Sequence, residues 1–149
     1  MKTRIESGTT RTAFEHYCAV PEFEPHATVD SVEFERRLTH DSASILIAYD
    51  DRAPVGFKVG YDRYRDGSWY SWLGGVLPAH RGHGIAQALL EHQETWVRSA
   101  GYRRIYVKTR NRFGAMRAML ASAGYQIVAV DLPLSTPLAD ARLTLVKVL

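Results

Sequence analysis

Arg81-Gly82-His83-Gly84-Ile85-Ala86 joins an apolar, strand-like run ending near Leu77 to a helix-like run starting near Gly82. Glycine lets the backbone take positive φ and approach a ligand closely. The first turn of a helix presents unpaired N–H groups and the positive end of the helix dipole. Strand, glycine-containing loop and helix start together make a site suited to an anion such as a pyrophosphate. An ordinary strand-to-helix turn with two glycines fits the same residues. Two well-known phosphate loops are excluded by spacing: Gly-x-x-x-x-Gly-Lys-Ser/Thr is absent, and Gly82-His83-Gly84 is followed by Gln87 where Gly-x-Gly-x-x-Gly needs glycine. His80 and His83 have His-x-x-His spacing, with His92 further on. No matching carboxylate or thiolate cluster accompanies them, so exposed loop histidines are expected and no metal. Cys18 is expected to be a small buried residue. Asn111 suits the N-cap of a helix over residues 112–123. Arg103, Arg104, Lys108, Arg110 and Arg112 make a basic stretch: a solvated face, or a site for an anionic group or an acidic partner.

The elements that position these residues follow from periodicity. A helix is expected over residues 10–19 and, after a loop around residues 21–26, a second one with Asp30 as N-cap and Glu33 completing a capping box. Val32, Phe34 and Leu38 supply its apolar contacts. Residues 44–49, 55–61 and 69–76 are strands, with a turn over 50–54 and a hairpin signal at Asp66-Gly67, giving an antiparallel meander. Ile85, Leu89, Trp96, Val97 and Ala100 then fall on one helical face, closed by Gly101. A strand over 105–109 follows, then a helix marked by Phe113, Met116, Leu120 and Ala123 and ended by Gly124. Strands over 125–130 and 142–148 come last. The order predicts a mixed α/β fold: a mostly antiparallel sheet of about six or seven strands with about four helices.

Length and composition bound the function. A chain of 149 residues suits one domain over residues 1–149. The single cysteine excludes an internal disulfide framework and points to a reducing, cytoplasmic setting. No apolar run approaches a membrane span, and the first residues lack the apolar core of a signal peptide. A net charge of +3 favours anionic ligands but falls short of a dedicated nucleic-acid binder. Neither a membrane nor a nucleic-acid partner is therefore expected.

The segment from Val76 to Ala86 resembles motif A of the GNAT superfamily of N-acetyltransferases, Arg/Gln-x-x-Gly-x-Gly/Ala. Arg81, Gly84 and Ala86 stand at the defining positions, and Val76-Leu77-Pro78 is similar to the family's Val-x-Pro lead-in. Downstream, Asn111, Ala115, Met116 and the closing Gly124-Tyr125 resemble motif B, an Asn-led helix ending in Gly-Phe or Gly-Tyr. Both motifs occur in the family's order, with a strand between them.

This resemblance implies an N-acetyltransferase with acetyl-CoA as co-substrate and no metal. The amides of Arg81, Gly82, His83, Gly84, Ile85 and Ala86 would hold the pyrophosphate. Pantetheine would insert between the strands 69–77 and 103–109, pairing with the backbone near Val76 and Leu77, while Asn111 would contact the cofactor from the other side. An amide near Val76 and Leu77 would stabilise the oxyanion. The acceptor amine, of a small molecule or a protein, would attack the thioester directly in a ternary complex. Relatives are often homodimers, so a homodimer is possible here.

The sequence departs from the family where many members carry a general base Glu and a general acid Tyr. The strand over 69–75 has no carboxylate, and Leu120 stands at the Tyr position. Tyr70, near the usual base, is the catalytic candidate and Tyr106 a weaker one, although an aromatic of the sheet packed on a helix is the simpler reading of both. The alternative is a module that binds acyl-CoA without catalysis. Glu22, Glu24 and Glu33 are candidates to attract a cationic amine, and Tyr61, Tyr64, Trp69 and Trp72 to wall its pocket.

Overall fold

The meander expected from the alternation of residues 44–76 forms at the centre of one seven-stranded sheet in a computed structural model, which describes residues 3–23 and 29–149. Its strands are β2 (Ser44–Asp50), β3 (Ala53–Tyr61) and β4 (Ser68–Val76). A strand not anticipated, β1 (Thr3–Ser7), pairs antiparallel with β2 at the sheet edge. Its sequence alternates charge with only Ile5 turned inward, so it carries little apolar signal, and its Arg4 and Glu6 suit an edge. The sheet order is β1-β2-β3-β4-β5-β7-β6, with β5 (Arg104–Arg110), β6 (Gln126–Asp131) and β7 (Arg142–Val148). Only β4 and β5 run parallel.

Helices α1 (Thr10–Ala19) and α2 (Ser31–Leu38) share a core with Ile47, Phe57 and Trp72. Helices α3 (Ile85–Ser99) and α4 (Gly114–Ser122) share another with Trp69, Ile105 and Leu145. Ile47 joins the first core while its neighbours Leu46 and Ala48 pack with Leu89 of α3, so the helix pairs cover opposite faces of the sheet.

Several expectations are corrected in detail. Asp30 caps α2 by accepting the Glu33 N–H at 2.8 Å, but Glu33 turns forward to Arg36 and Arg37 instead of closing the capping box. Val32 is 74% exposed; Phe34 and Leu38 alone turn inward. Cys18 is exposed, because α1 buries Ala13, His16 and Tyr17 on its other side. Strands β2 and β3 extend inward on the expected 50–54 turn, leaving Asp51 and Arg52 between them. The Asp66-Gly67 hairpin is a longer loop over residues 62–67, in which Asp62 accepts the Arg65 N–H and Asp66 the Ser68 N–H. Ala100 is the exposed C-cap of α3, whose buried stripe runs through Leu90, Gln93 and Glu94 instead. Asn111 does not cap α4; Phe113 holds that place. The Asn111 N–H donates to Ala141 O (2.9 Å) and its Nδ2 to Leu138 O (3.2 Å), tying the end of β5 to a 3-10 turn.

Candidate active site

Strands β4 and β5 are paired only from Ser68 to Ser71, against Arg104 to Val107. Beyond that point β4 keeps β3 as partner and β5 keeps β7, so the sheet opens between them. A bulge marks the parting: Gly60 pairs with Ser71 but Val59 pairs with Leu73, leaving Trp72 as an extra residue in β4. Such an insertion bends a strand and strengthens its twist. The opening belongs to a cleft of about 1120 Å³ that runs from the start of α3, past residues 71–76, to Tyr70 and Trp72.

At one end of this cleft lies the glycine loop. Gly82 and Gly84 hold φ values of 80° and 78°, and a Cβ on either would meet nothing within 4 Å. Both are left-handed, which is why α3 begins at Ile85 and not at Gly82. Among the described residues the N–H groups of residues 82–87 find no acceptor; the first one satisfied is that of Ala88, bonded to Gly84 O. They sit at the positive end of a fifteen-residue helix. An anion with several oxygens fits this row of donors.

The Arg81 side chain closes the loop from behind. Its Nε donates to Val76 O at 3.0 Å, and its guanidinium grips Glu22 at 2.6 and 2.8 Å. Hydrogen bonding from Arg81 holds the Glu22 carboxyl below its usual range. The Arg81 N–H is bonded to Pro78 O, and Leu77 bonds Val55 O through its N–H and the His80 N–H through its carbonyl. Val76, Arg81, Gly82, Gly84, Ile85 and Ala86 line the cleft, whereas Leu77, His83 and Asn111 do not. The histidines diverge: His83 Nδ1 lies 3.3 Å from His80 O, and His80 Nε2 lies 3.8 Å from Asp50. No three His, Cys, Asp or Glu residues converge on a common point among the described residues.

Tyr70 faces the other end. Rings of Tyr61 and Tyr64 lie 5.9 and 6.2 Å from it, the Arg63 guanidinium 5.2 Å and Lys108 Nζ 5.9 Å. Burial pushes its phenol pKa up. At neutral pH it is therefore protonated and a donor, not a base. Tyr106 packs on Tyr64 outside the cleft, and Leu120 is wholly buried on the inner face of α4. Trp72 does line the cleft, but Trp69 lies on the opposite face of the sheet, its ring tilted against Trp96 and its Nε1 donating to Ser42 O, so it walls no acceptor pocket. Glu22 is paired with Arg81 and Glu33 with Arg36 and Arg37, which leaves neither free to attract a cation. Glu24 lies outside the described residues.

Among the cleft residues that the sequence did not single out, two are buried and polar. Ser71, 2% exposed, keeps an Oγ with no hydrogen-bond partner. Lys58, 5% exposed, extends from the middle of β3 and makes no hydrogen bond or ion pair among the described residues. The available signal was Gly56-Phe57-Lys58-Val59-Gly60 opposite Gly74-Gly75: a lysine on a central strand, with side-chain-free positions beside and across from it. An orphaned hydroxyl, a buried ammonium, free amides and an unpartnered strand edge in one cleft fit an extended polar ligand with an anionic end.

Known proteins give the same answer. The acetyltransferase (GNAT) family model matches residues 10–125. The protein named Acetyltransferase ECA0875, from Pectobacterium atrosepticum, is 33% identical over 98 residues, which is 65% of this chain and 67% of that protein. The ribosomal-protein-S18-alanine N-acetyltransferase of Escherichia coli superposes with a TM-score of 0.80 at 16% identity, over 99% of this chain and 94% of its own. The NatC complex bound to Gag peptide and CoA gives 0.82 at 18% identity, over 100% and 99%. At those identities the two structures show a shared fold; the family match, spanning most of the chain and both ends of the cleft, shows more, and the chain belongs to the GNAT acetyltransferase family.

Proposed function

We propose that this protein transfers an acetyl group from acetyl-CoA to the amine of an acceptor that also carries an anionic group. The observation that carries the donor assignment is the row of free amides over residues 82–87 leading into the unpaired stretch of β4. Pyrophosphate sits at the amides, and pantetheine runs along β4 as a missing strand toward Tyr70. The amine then attacks the thioester carbon directly: a C–N bond forms, the C–S bond breaks, and CoA leaves as the thiol. Alignment of two bound reactants supplies much of the acceleration. Tyr70, protonated, orients the acceptor or its water by donating a hydrogen bond.

The acceptor follows from charge. Arg63, Lys108 and Arg142 line the cleft, with Arg63 and Lys108 against the Tyr70 ring, and none has an ion pair among the described residues. Among the described residues Glu22 is the one carboxylate in the lining, and Arg81 neutralises it. A polyamine meets repulsion here, whereas a carboxylate beside the reacting amine, with an aromatic body against Tyr70 and Trp72, meets attraction. The exposed single thiol, Cys18, suits a reducing cytoplasm.

Following CoA thiol release with matched pairs, an aromatic amino acid against the amine left by its decarboxylation, tests this. The carboxylated member should have kcat/KM at least about tenfold higher, one ion pair in a partly desolvated site being worth roughly 1.4 kcal/mol. Preference for the bare amine or a polyamine overturns the acceptor. Stabilisation by acetyl-CoA without turnover of any amine, carboxylated or not, favours the non-catalytic module.

A further inference from the structure

We propose that Lys58 is the general acid of the transfer, delivering its proton to the CoA sulfur as the C–S bond breaks. The inference rests on the acetyl-CoA reading above and supplies the group that reading lacks.

Position comes first. Lys58 pairs with Gly74 across β3 and β4, within the part of β4 that β5 leaves free. Its stem lies flat over that glycine: a Cβ added to Gly74 would stand 3.3 Å from Lys58 Cγ and 3.5 Å from Nζ. The ammonium is thus carried to the β4 wall of the cleft, whose lining also takes in the start of α3 and Tyr70. A thioester whose pyrophosphate lies at the first and whose acceptor lies at the second must pass Gly74.

Environment comes second. The elements packed around Lys58 offer it little. Gly74 and Leu46 flank it on the neighbouring strands, and Met116 and Met119 of α4 close the smaller pocket it shares. The charge that favours its protonated form is Glu94 of α3, which is already bonded by Tyr125 (2.8 Å) and Lys147 (3.0 Å). Lys108 and Arg110 of β5, and Arg112 beyond it, line the far side as like charges. A buried ammonium without a bonded acceptor destabilises a fold, so its presence in a cleft points to a task other than packing. Burial lowers its pKa to about 8, close to the roughly 8.5 of a thiol, which suits proton exchange with a departing thiolate. The balance is complete. The acceptor nitrogen sheds one proton to water, Lys58 Nζ gives one to sulfur, and water restores Lys58.

Lys58→Met tests it, since an apolar chain of similar length removes the buried charge and should leave the fold intact or more stable. In the variant, acetyl-CoA should raise the melting temperature as in the wild type, while kcat falls about 100-fold, the lower range for loss of a general acid. The pH–rate profile separates chemistry from packing. Wild-type kcat should decline as pH rises through about 8, where Lys58 loses its proton, and that limb should be missing in the variant. Wild-type kcat in Lys58→Met, an unchanged limb, or an acetyl group found on Lys58 by mass spectrometry overturns the assignment. Failure of wild-type protein to bind acetyl-CoA or acetylate any amine instead overturns the function on which it rests.

Discussion

Gly84 separates two reasons for glycine that usually coincide. Its φ of 78° disfavours any side chain, yet a Cβ there would meet no protein atom. Gly101, at the far end of the same helix, is alike in both respects, with φ of 92° and open space, but lies outside the cleft. Each Gly→Ala change should cost about 1 kcal/mol through the backbone. Only Gly84→Ala should also weaken acetyl-CoA, by about tenfold or more, because in the proposed function only that methyl would meet a phosphate oxygen. Calorimetric titration of both variants checks this, and equal affinity for the two would remove the loop from the site. Tyr70→Phe should lower kcat roughly fivefold, the worth of one hydrogen bond, with acetyl-CoA affinity unchanged; wild-type turnover would reduce Tyr70 to a packing residue.

Elements, more than single residues, decide what the glycine loop can do. Arg81 fastens the end of β4 to the 3-10 turn at Pro21–Phe23, so the loop is braced from the α1–α2 side. Arg81→Ala should therefore raise the KM for acetyl-CoA several-fold and leave kcat nearly unchanged, with a stability loss of about 1 kcal/mol or less, as these half-exposed charges are screened. Helix α2 is tied in a comparable way. Hydrogen bonds from Arg36 and Arg37 hold the Glu33 carboxyl down at about 2, and Arg37 goes on to bond Tyr61 and cover Trp72. A carboxyl lowered by folding stabilises the protein above its unfolded value of about 4.5, and that contribution is lost as pH falls toward 2. Melting curves of wild type and Glu33→Gln should hence differ near pH 7 and converge across that window; a gap that persists at pH 2 would show that Glu33 acts through packing.

The sequence displayed elements better than relations between elements. Runs such as residues 44–49 and the 85–97 stripe announce themselves by period, and Arg81, Gly84 and Ala86 mark the loop by type and spacing. Strand β1 hid because Thr3–Ser7 offers one inward side chain. The opening of the sheet hid because a bulge exists only between paired strands, and nothing in Trp72 itself declares it the unpaired residue. Lys58 hid for the same reason. Alternation assigns it a face but not the glycine opposite, which turns a surface-like residue into a buried one.

On the scale of the molecule, that opening divides the sheet. β1 to β4 lie on one side with α1 and α2, and β5, β7 and β6 on the other with α4. Short β4–β5 pairing and the packing of α3 join them. A ligand lying along the free edges replaces the missing ladder and touches both halves, so its binding energy becomes folding energy for the whole chain. At a hundredfold excess over its dissociation constant it should add about 2.7 kcal/mol, which for a chain of this length raises the melting temperature by roughly 5–10 °C. Hydrogen exchange should locate the effect. Acetyl-CoA should slow exchange at residues 72–76 of β4, residues 108–110 of β5 and the amides 82–87 together. ATP, which offers phosphates but no pantetheine, should protect the amides alone if it binds. Protection by acetyl-CoA confined to residues 82–87 would show that the loop holds an anion while the sheet stays open, and that the two halves are not bridged.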